Sequence, residues 1–463
     1  MSGLPLIAGF SNGATFALRQ GVVLTVQDFL REAARLAEAL PARGYVLNLC
    51  ADRYRFAVGF AAALLRGQVS LLPPNHTPEL VARLRRDYPD VYCLREADGP
   101  ALEVETLLYP EAPATAPPAS GFPVPLIPAD QTAAIVFTSG STGTPQPNRK
   151  SWGRLTLSAQ GEAARLGLAA QPGQSPYALV GTVPPQHMYG FESTVLLPMQ
   201  GGLAMHAGRP FYPADITGAL DSLPHPRALI TTPVHLRALV DEPGALPAPD
   251  FMLCATAPLA PKLAAAAEAR LGAPLYEIYG CTEAGQVATR RSTEGPRWQT
   301  LPGLQLYQDE RGTWVTGGHV EGEILLGDVI ELMPDDQAAP SRATHFELRG
   351  RNADMINIAG KRTSLAHLNF QLTAIEGVRD GVFVMPREHG EVTRLTALVV
   401  APGMNARQIS AALRRVLDPV FLPRPLHFVE ALPRNSTGKL THAALQELLA
   451  QCAAGQSHPG GRK

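Results

Sequence analysis

No stretch of this chain stays apolar long enough to cross a bilayer. The longest run, Phe56 to Leu65, is closed by Arg66, well short of the roughly 20 residues that a spanning helix needs. Charge is scarce and balanced: charged residues make up 17% of the sequence, with 40 basic against 41 acidic and a formal net charge of -1. That balance provides no field for nucleic acid or an anionic membrane, so neither is expected as a partner. A phosphate-bearing ligand would have to be held by local groups. Cysteine is sparse as well, with Cys50, Cys93, Cys254, Cys281 and Cys452 scattered and never in Cys-x-x-Cys spacing. This argues against a zinc ribbon or a disulfide framework and reads as reduced thiols. The opening Met-Ser-Gly-Leu-Pro-Leu lacks the basic region of a secretory signal. A cytoplasmic protein is expected.

What the sequence does contain is ample core material, 45% hydrophobic over 463 residues, which exceeds the usual limit of a single core. Helical spacing over Asp28 to Leu40, a strand at Tyr45 to Cys50, a buried helix at Arg53 to Leu65 and a strand at Val69 to Leu72 predict α/β layers. Pro, Ala and Ser dominate Glu111 to Asp130, a surface connection. The alternation resumes with strands near Ala178 to Val183, Leu203 to His206, Ala228 to Thr231 and Phe251 to Ala255. Helices are predicted at Ile216 to Leu223, Val234 to Leu239 and Leu259 to Leu271. Short strands with glycine turns follow over Gln299 to Leu326. The fold class expected is α/β. It comprises a large domain over 1–350 with a β-rich subdomain, a small α+β unit over 351–452 acting as a lid, and a disordered tail over 453–463.

One stretch stands apart, Thr138 to Lys150. A buried-strand run, Ala133-Ala134-Ile135-Val136-Phe137, leads into Thr138, Ser139, Gly140, Ser141, Thr142, Gly143 and Thr144, with Arg149 and Lys150 just downstream. Glycines let successive amides turn toward one anion, and the hydroxyls add donors. The spacing is not that of the P-loop, which ends in Gly-Lys-Ser/Thr. A flexible linker would have the same composition, but the flanking strand and basic residues favour a polyphosphate cradle.

This stretch resembles the phosphate loop of the adenylate-forming (ANL) enzymes, which include acyl- and aryl-CoA synthetases, peptide-synthetase adenylation domains and luciferases. The resemblance implies ATP and Mg²⁺ as cofactors, a carboxylic acid substrate, and a thiol acceptor, either CoA or an acyl carrier protein. One departure is plain: Pro145-Gln146-Pro147 stands where the family carries Pro-Lys-Gly, so Arg149 or Lys150 is left to supply the cation.

Three further segments extend the match. Pro184 to Glu192 contains His187 and resembles the Pro-x-x-His-x-x-Gly element beside the acyl carboxylate. Glu192 is open to three readings: a partner for a substrate ammonium, for a substrate hydroxyl, or for nearby backbone. Tyr276 to Glu283 is similar to Tyr-Gly-x-Thr-Glu. An aromatic beside a glycine suits a flat base, and a threonine–glutamate pair suits a phosphate oxygen and its magnesium. By resemblance Tyr279 stacks on adenine, Thr282 meets the α-phosphate and Glu283 binds the metal. Ala257, Glu277, Ile278 and Gly280 join the nucleotide pocket. Asp328 is expected to hold the ribose, with Arg351 and Arg362 on the nucleotide. The Pro-rich Met333 to Thr344 is read as an inserted loop, and Ala353 with Asp354 stands at the hinge position. Lys439, in Pro433 to Lys439, resembles the lysine that stabilises charge as the carboxylate attacks phosphorus. Lys439, His187 and Thr282 are therefore the expected catalytic residues.

The implied reaction makes acyl-AMP and pyrophosphate, then a thioester. Gly360 to Leu365 resembles ligases of aryl-polyene and xanthomonadin-type pigment pathways, where an aryl acid is loaded on a carrier protein. Three alternatives stay open: an amino-acid-activating domain, a nucleotide-binding protein of this fold without turnover, and a phosphotransferase cleaving at the γ-phosphate.

Overall fold

The computed structural model of the protein describes residues 3–11, 13–110, 122–138, 146–171, 173–333, 342–351, 355–358, 361–384, 395–435 and 440–455. Two large sheets dominate. The first has six strands in the order Gln146–Ser151, Thr132–Thr138, Val69–Leu72, Tyr45–Asn48, Val91–Arg95, Thr106–Leu108. All its pairings are parallel except that of Gln146–Ser151, which returns antiparallel along Thr132–Thr138. The helix Arg53–Leu65 crosses over between two of these strands and is buried on nearly every side, as its unbroken apolar run requires. Asp52 caps it by accepting from the Arg55 amide. The helix Val26–Ala39 starts at a Thr25–Asp28 capping box. It packs Phe29 on Phe16, with centroids 4.1 Å apart.

The second sheet has eleven strands. Its parallel centre runs Leu275–Cys281, Phe251–Cys254, Arg227–Thr231, Ala178–Gly181, Ala204–His206, Thr15–Arg19. Antiparallel strands Gly285–Arg290, Arg297–Thr300, His345–Arg351 and Asp328–Met333 extend one edge. A three-stranded sheet, Leu304–Asp309, Gly312–Gly317 and Glu323–Leu325, packs beside them. This is the β-rich segment expected near 299–326. The helices Pro213–Asp221, Pro233–Asp241 and Pro261–Leu271 cover the parallel centre. The α/β class is as expected.

Beyond residue 350, which falls near the end of strand His345–Arg351, a smaller α+β group follows. Strands Asp380–Val384, Thr396–Val400 and Leu426–Phe428 form one sheet. Helices Leu365–Thr373 and Ala406–Leu413 pack on it through Leu368, Leu372, Ile409 and Leu413.

Two expectations need correction. The stretch read as a loop to Lys150 is shorter, because residues 146–151 are a strand paired with the one before it; the apolar strand Thr132–Thr138 supplies the pairing that this polar sequence does not itself favour. The tail expected to be disordered over 453–463 begins too early, because the helix His442–Gly455 runs through its first three residues; residues 456–463 lie outside the described residues. That helix is anchored by Leu445, Leu448 and Leu449 against Val384 and Leu398.

Candidate functional site

The expected site segments leave the carboxyl ends of parallel strands, the usual place for ligand crevices in α/β sheets. After Ala178–Gly181 the chain turns at Pro184, and the His187 amide donates to the Pro184 carbonyl at 3.1 Å. His187 then caps the helix Met188–Phe191 with an extended backbone. Gly190 makes this turn possible, since a Cβ there would stand 2.0 Å from the Pro184 oxygen. The Tyr189 hydroxyl donates to the Leu253 carbonyl at 3.0 Å, tying this helix to the neighbouring strand.

The next residues, Glu192–Leu196, form a π-helical turn, a local widening that is common at functional sites. It holds Glu192 inside the protein at 3% exposure. Ser158 donates to Glu192 Oε1 at 3.3 Å. Burial pushes the Glu192 carboxyl up to about 7, against the opposing pull of Lys150 and Ser158.

Of the two cations left by Gln146, Lys150 reaches the threonine–glutamate turn. Lys150 Nζ donates to the Glu283 carbonyl at 2.7 Å, joining the strand that returns from the hydroxyl-rich stretch to the threonine–glutamate turn. Burial draws the Lys150 ammonium down, while Glu192, Cys281, Glu283 and Glu321 draw it back. In a strand alternate side chains take opposite faces, so Arg149 and Lys150 point apart: Arg149 also borders the cleft, but its charge acts on Tyr88. A cleft of about 320 Å³ opens here, lined by Lys150, Ser158, Met188, Glu192, Glu283 and His319 among others. A larger hollow of about 520 Å³ lies beside Arg43, Arg85 and Arg86. It flanks Val91 at the amino end of its strand and touches none of the motifs.

Tyr279 donates to Asp328 Oδ2 at 2.6 Å. Its ring stands edge-on to Trp298 and Phe346, with centroids 5.8 and 5.9 Å away. Asp328 lies opposite Arg351 in the strand register, so the long span between them is a hairpin, and residues 334–341 fall outside the described residues. Ala257 follows Thr256, whose φ of 81° is an unusual value for a β-branched residue and marks a constrained turn. Thr282 is half-buried and Glu283 exposed beside the cleft. Ile278 packs in the core with Tyr189 and Leu253, while Gly280 sits where the strand register shifts. Glu277, expected at the adenine edge, is 5% exposed and accepts from Arg290 Nε at 2.6 Å.

Other expected residues cannot be located by side chain. Ser139, Gly140, Ser141, Thr142, Gly143, Thr144, Ala353, Asp354 and Lys439 lie outside the described residues. Thr138, Arg351 and Arg362 are described by backbone only.

Sequence reasoning missed the support beneath the cleft. Ser158 and Glu162 occupy adjacent turns on the buried face of helix Trp152–Leu166, between Leu155, Ala159 and Ala163. Polar residues on an apolar stripe were the available signal. Glu162 is 0% exposed. Ser193 and Gln286 approach its carboxyl without completing a full hydrogen bond, and burial raises it to about 8. His319 is buried at 7% exposure. Burial, assisted by Lys150, lowers its imidazole to about 4, so the ring is neutral at pH 7. Arg53, 1% exposed, donates to Thr194 and to the carbonyls of Gly181, Val183, His206 and Gly208 at 2.8–3.2 Å. It thereby fixes the turn that leads to His187.

Among the described residues no group of three or more His, Cys, Asp or Glu side chains could hold a metal ion. A magnesium ion arriving on ATP phosphates needs only one or two protein carboxylates, and Glu283 on the cleft rim fits that role.

A family model described as AMP-binding enzyme matches residues 10–328. A 4-coumarate–CoA ligase from Halorhodospira halophila is 31% identical over 329 residues, covering 67% of this chain and 75% of that protein. The 4-coumarate–CoA ligase of Rhodobacter capsulatus is 29% identical over 310 residues with the same coverage, 67% and 75%. Among solved structures, ATP-bound MatB from Rhodopseudomonas palustris superposes with a TM-score of 0.77 at 19% identity, covering 94% of this chain and 96% of that one. An o-succinylbenzoate CoA synthetase from Bacillus subtilis, held with its acyl-adenylate intermediate, gives 0.77 at 18% identity, covering 96% and 99%. At these identities the structural likeness establishes the fold.

Proposed function

Because this chain belongs to the AMP-binding enzyme family, we propose that it activates a carboxylic acid with ATP and passes the acyl group to a thiol. The observation that carries this reading is the 2.7 Å contact from Lys150 Nζ to the Glu283 carbonyl. It draws the strand after the hydroxyl-rich stretch and the threonine–glutamate turn onto one cleft.

A carboxylate oxygen bonds to the α-phosphorus as the bond to pyrophosphate breaks, giving acyl-AMP. A thiolate sulfur then bonds to the acyl carbon and AMP leaves. In the first step Thr282 binds the α-phosphate, and Tyr279 and Asp328 form the nucleoside wall with Arg351 and Arg362. Residues 138–144 cradle the departing phosphates, and Ala257 and Gly280 leave room for the base. Lys439 meets the charge that develops on the transferring group, and His187 lies beside the acyl carboxylate. Magnesium held by Glu283 would neutralise phosphate charge. Residues 351–452 form the small lid domain that moves between the two steps.

The substrate we favour is an aryl acid, in line with the relatives named for 4-coumarate. CoA is the acceptor those names carry; an acyl carrier protein of an aryl-polyene-type pathway is the second reading, supported by the Gly360 to Leu365 run. Pyrophosphate release over a panel of aryl, fatty and amino acids, with CoA and carrier protein as acceptors, tests both. Aryl-dependent release sustains the proposal. Release driven by amino acids alone would move the protein to the amino-acid-activating branch.

A further inference from the structure

The floor of the cleft carries two polar groups that the adenylation reading does not use. Glu192 is held at 3% exposure and His319 at 7%, and both line the cleft beside Gly285. Gly285, at φ +78°, leaves a notch between them: a Cβ there would stand 3.1 Å from Glu192 Oε1 and 3.5 Å from His319 Nε2. The two polar atoms therefore converge on the space that a side chain at position 285 would fill, near enough to one another for a single small polar group in the cleft to bridge them. Among the described residues no hydrogen bond of full geometry reaches His319 Nε2, although the Gln286 and Ala284 backbone approaches the imidazole closely enough to pull against the effect of burial; a buried polar atom left short of a good partner is a costly condition. The π-helical turn at Glu192–Leu196 aims the carboxyl at this point, and Ser158 steadies it.

We propose that Glu192 and His319 form a selector notch for a hydroxyl group carried by the carboxylic acid substrate. The proposal rests on the adenylation reading and narrows its substrate class to hydroxy acids. A hydroxyl can donate to one of the two groups while accepting from the other. An ammonium is disfavoured by the Lys150 charge, which acts on both Glu192 and His319. A second carboxylate would meet Glu192 and, at the rim, Glu283 and Glu321. Leu155, Met188, Val320 and Ile324 are apolar members of a lining that also carries Asn148, Arg149, Ser151 and Arg154, so an apolar body joining the reacting carboxyl to the hydroxyl has surface to pack on while polar groups border it.

The experiment compares matched pairs, 4-coumarate against cinnamate and 4-hydroxybenzoate against benzoate, by pyrophosphate release and by calorimetric binding to the full-length protein. In at least one pair the hydroxylated acid is expected to lead by tenfold or more in kcat/KM, because a site built for a hydroxyl rejects the analogue lacking it. Glu192→Gln and His319→Asn should reduce that ratio below threefold; asparagine keeps the near ring-nitrogen position and deletes the far one. Equal loss on both members of each pair would show a merely structural role and overturn the notch. So would a wild-type ratio near one in every pair, or a preference for amino or dicarboxylic acids in the same panel. If no acid releases pyrophosphate yet the hydroxylated member binds better in wild type alone, the adenylation reading fails while the notch stands. If neither signal appears, both fall.

Discussion

The Tyr279 phenol donates to Asp328 Oδ2 across 2.6 Å, joining a strand of the parallel centre to the outermost strand of the same sheet. The aspartate is thereby aimed before any ligand arrives, and Trp298 and Phe346 fix the ring that aims it. A hydrogen bond to a charged group contributes about 1.5–3 kcal/mol. Asp328→Asn is expected to raise KM for ATP by roughly tenfold or more with a smaller change in kcat, and Tyr279→Phe to do so less strongly. Steady-state kinetics at saturating acid check this. A kcat effect with unchanged KM would contradict a ribose-binding role.

Lys150 makes the analogous link at the phosphate end. Lys150→Met keeps the stem and removes the charge, so the Glu283 turn loses its anchor and the cleft its cation. The loss in kcat/KM for ATP is expected to be about 10²-fold, the scale of one preorganised donor. Arg149→Met, on the opposite face of the strand, is expected to cost less than threefold. The reverse ranking would assign the missing cation to Arg149.

Buried carboxyls make stability depend on pH in a definite direction. Burial raises Glu162 to about 8 and Glu192 to about 7, both from an ordinary value of 4.5. The folded state therefore holds protons that the unfolded chain has released, and stability falls as pH rises from about 4.5 through the folded values. His235 and His319, lowered to about 4 by burial, act oppositely, but only below about 6.5. The window from pH 6.5 to 8 isolates the carboxyls, with a slope near 1.4 kcal/mol per unit for one proton. Denaturant unfolding should show the wild type weaker at pH 8 than at 6.5 and Glu162→Gln with a shallower fall. Equal slopes would contradict this origin.

Arg53 gives the largest expected stability effect. Arg53→Met would strip donors from Thr194, the two buried carbonyls of Gly181 and Val183 and the two part-buried ones of His206 and Gly208, the buried ones being costly to leave unmet. A loss of about 3–5 kcal/mol is expected, together with reduced activity as the turn before His187 loosens. Thermal unfolding measures it; a change under 1 kcal/mol would show the carbonyls finding other partners.

The α/β class and several central strands were legible because the apolar runs at Ala133–Phe137 and Phe251–Cys254, like the helical run Arg53–Leu65, are unbroken and end at turn residues. The strand Gln146–Ser151 was not, since proline and charged residues hide a pairing that only the neighbouring strand supplies. Tyr279, Glu283 and Asp328 were legible as motif residues, but the bond between the first and last is a tertiary fact. Ser158, Glu162 and His319 left only the faint signal of polar residues in apolar surroundings. Arg53 left none, because an arginine opening a helix is an ordinary solvated residue until the fold buries it.

On this surface an acid is expected to displace pyrophosphate reversibly from ATP. Exchange of labelled pyrophosphate into ATP, measured with an aryl acid and no thiol, reads that step alone. Exchange should require the acid and be abolished by Lys439→Ala. Acid-independent exchange, or ADP and phosphate as products, would contradict that expectation.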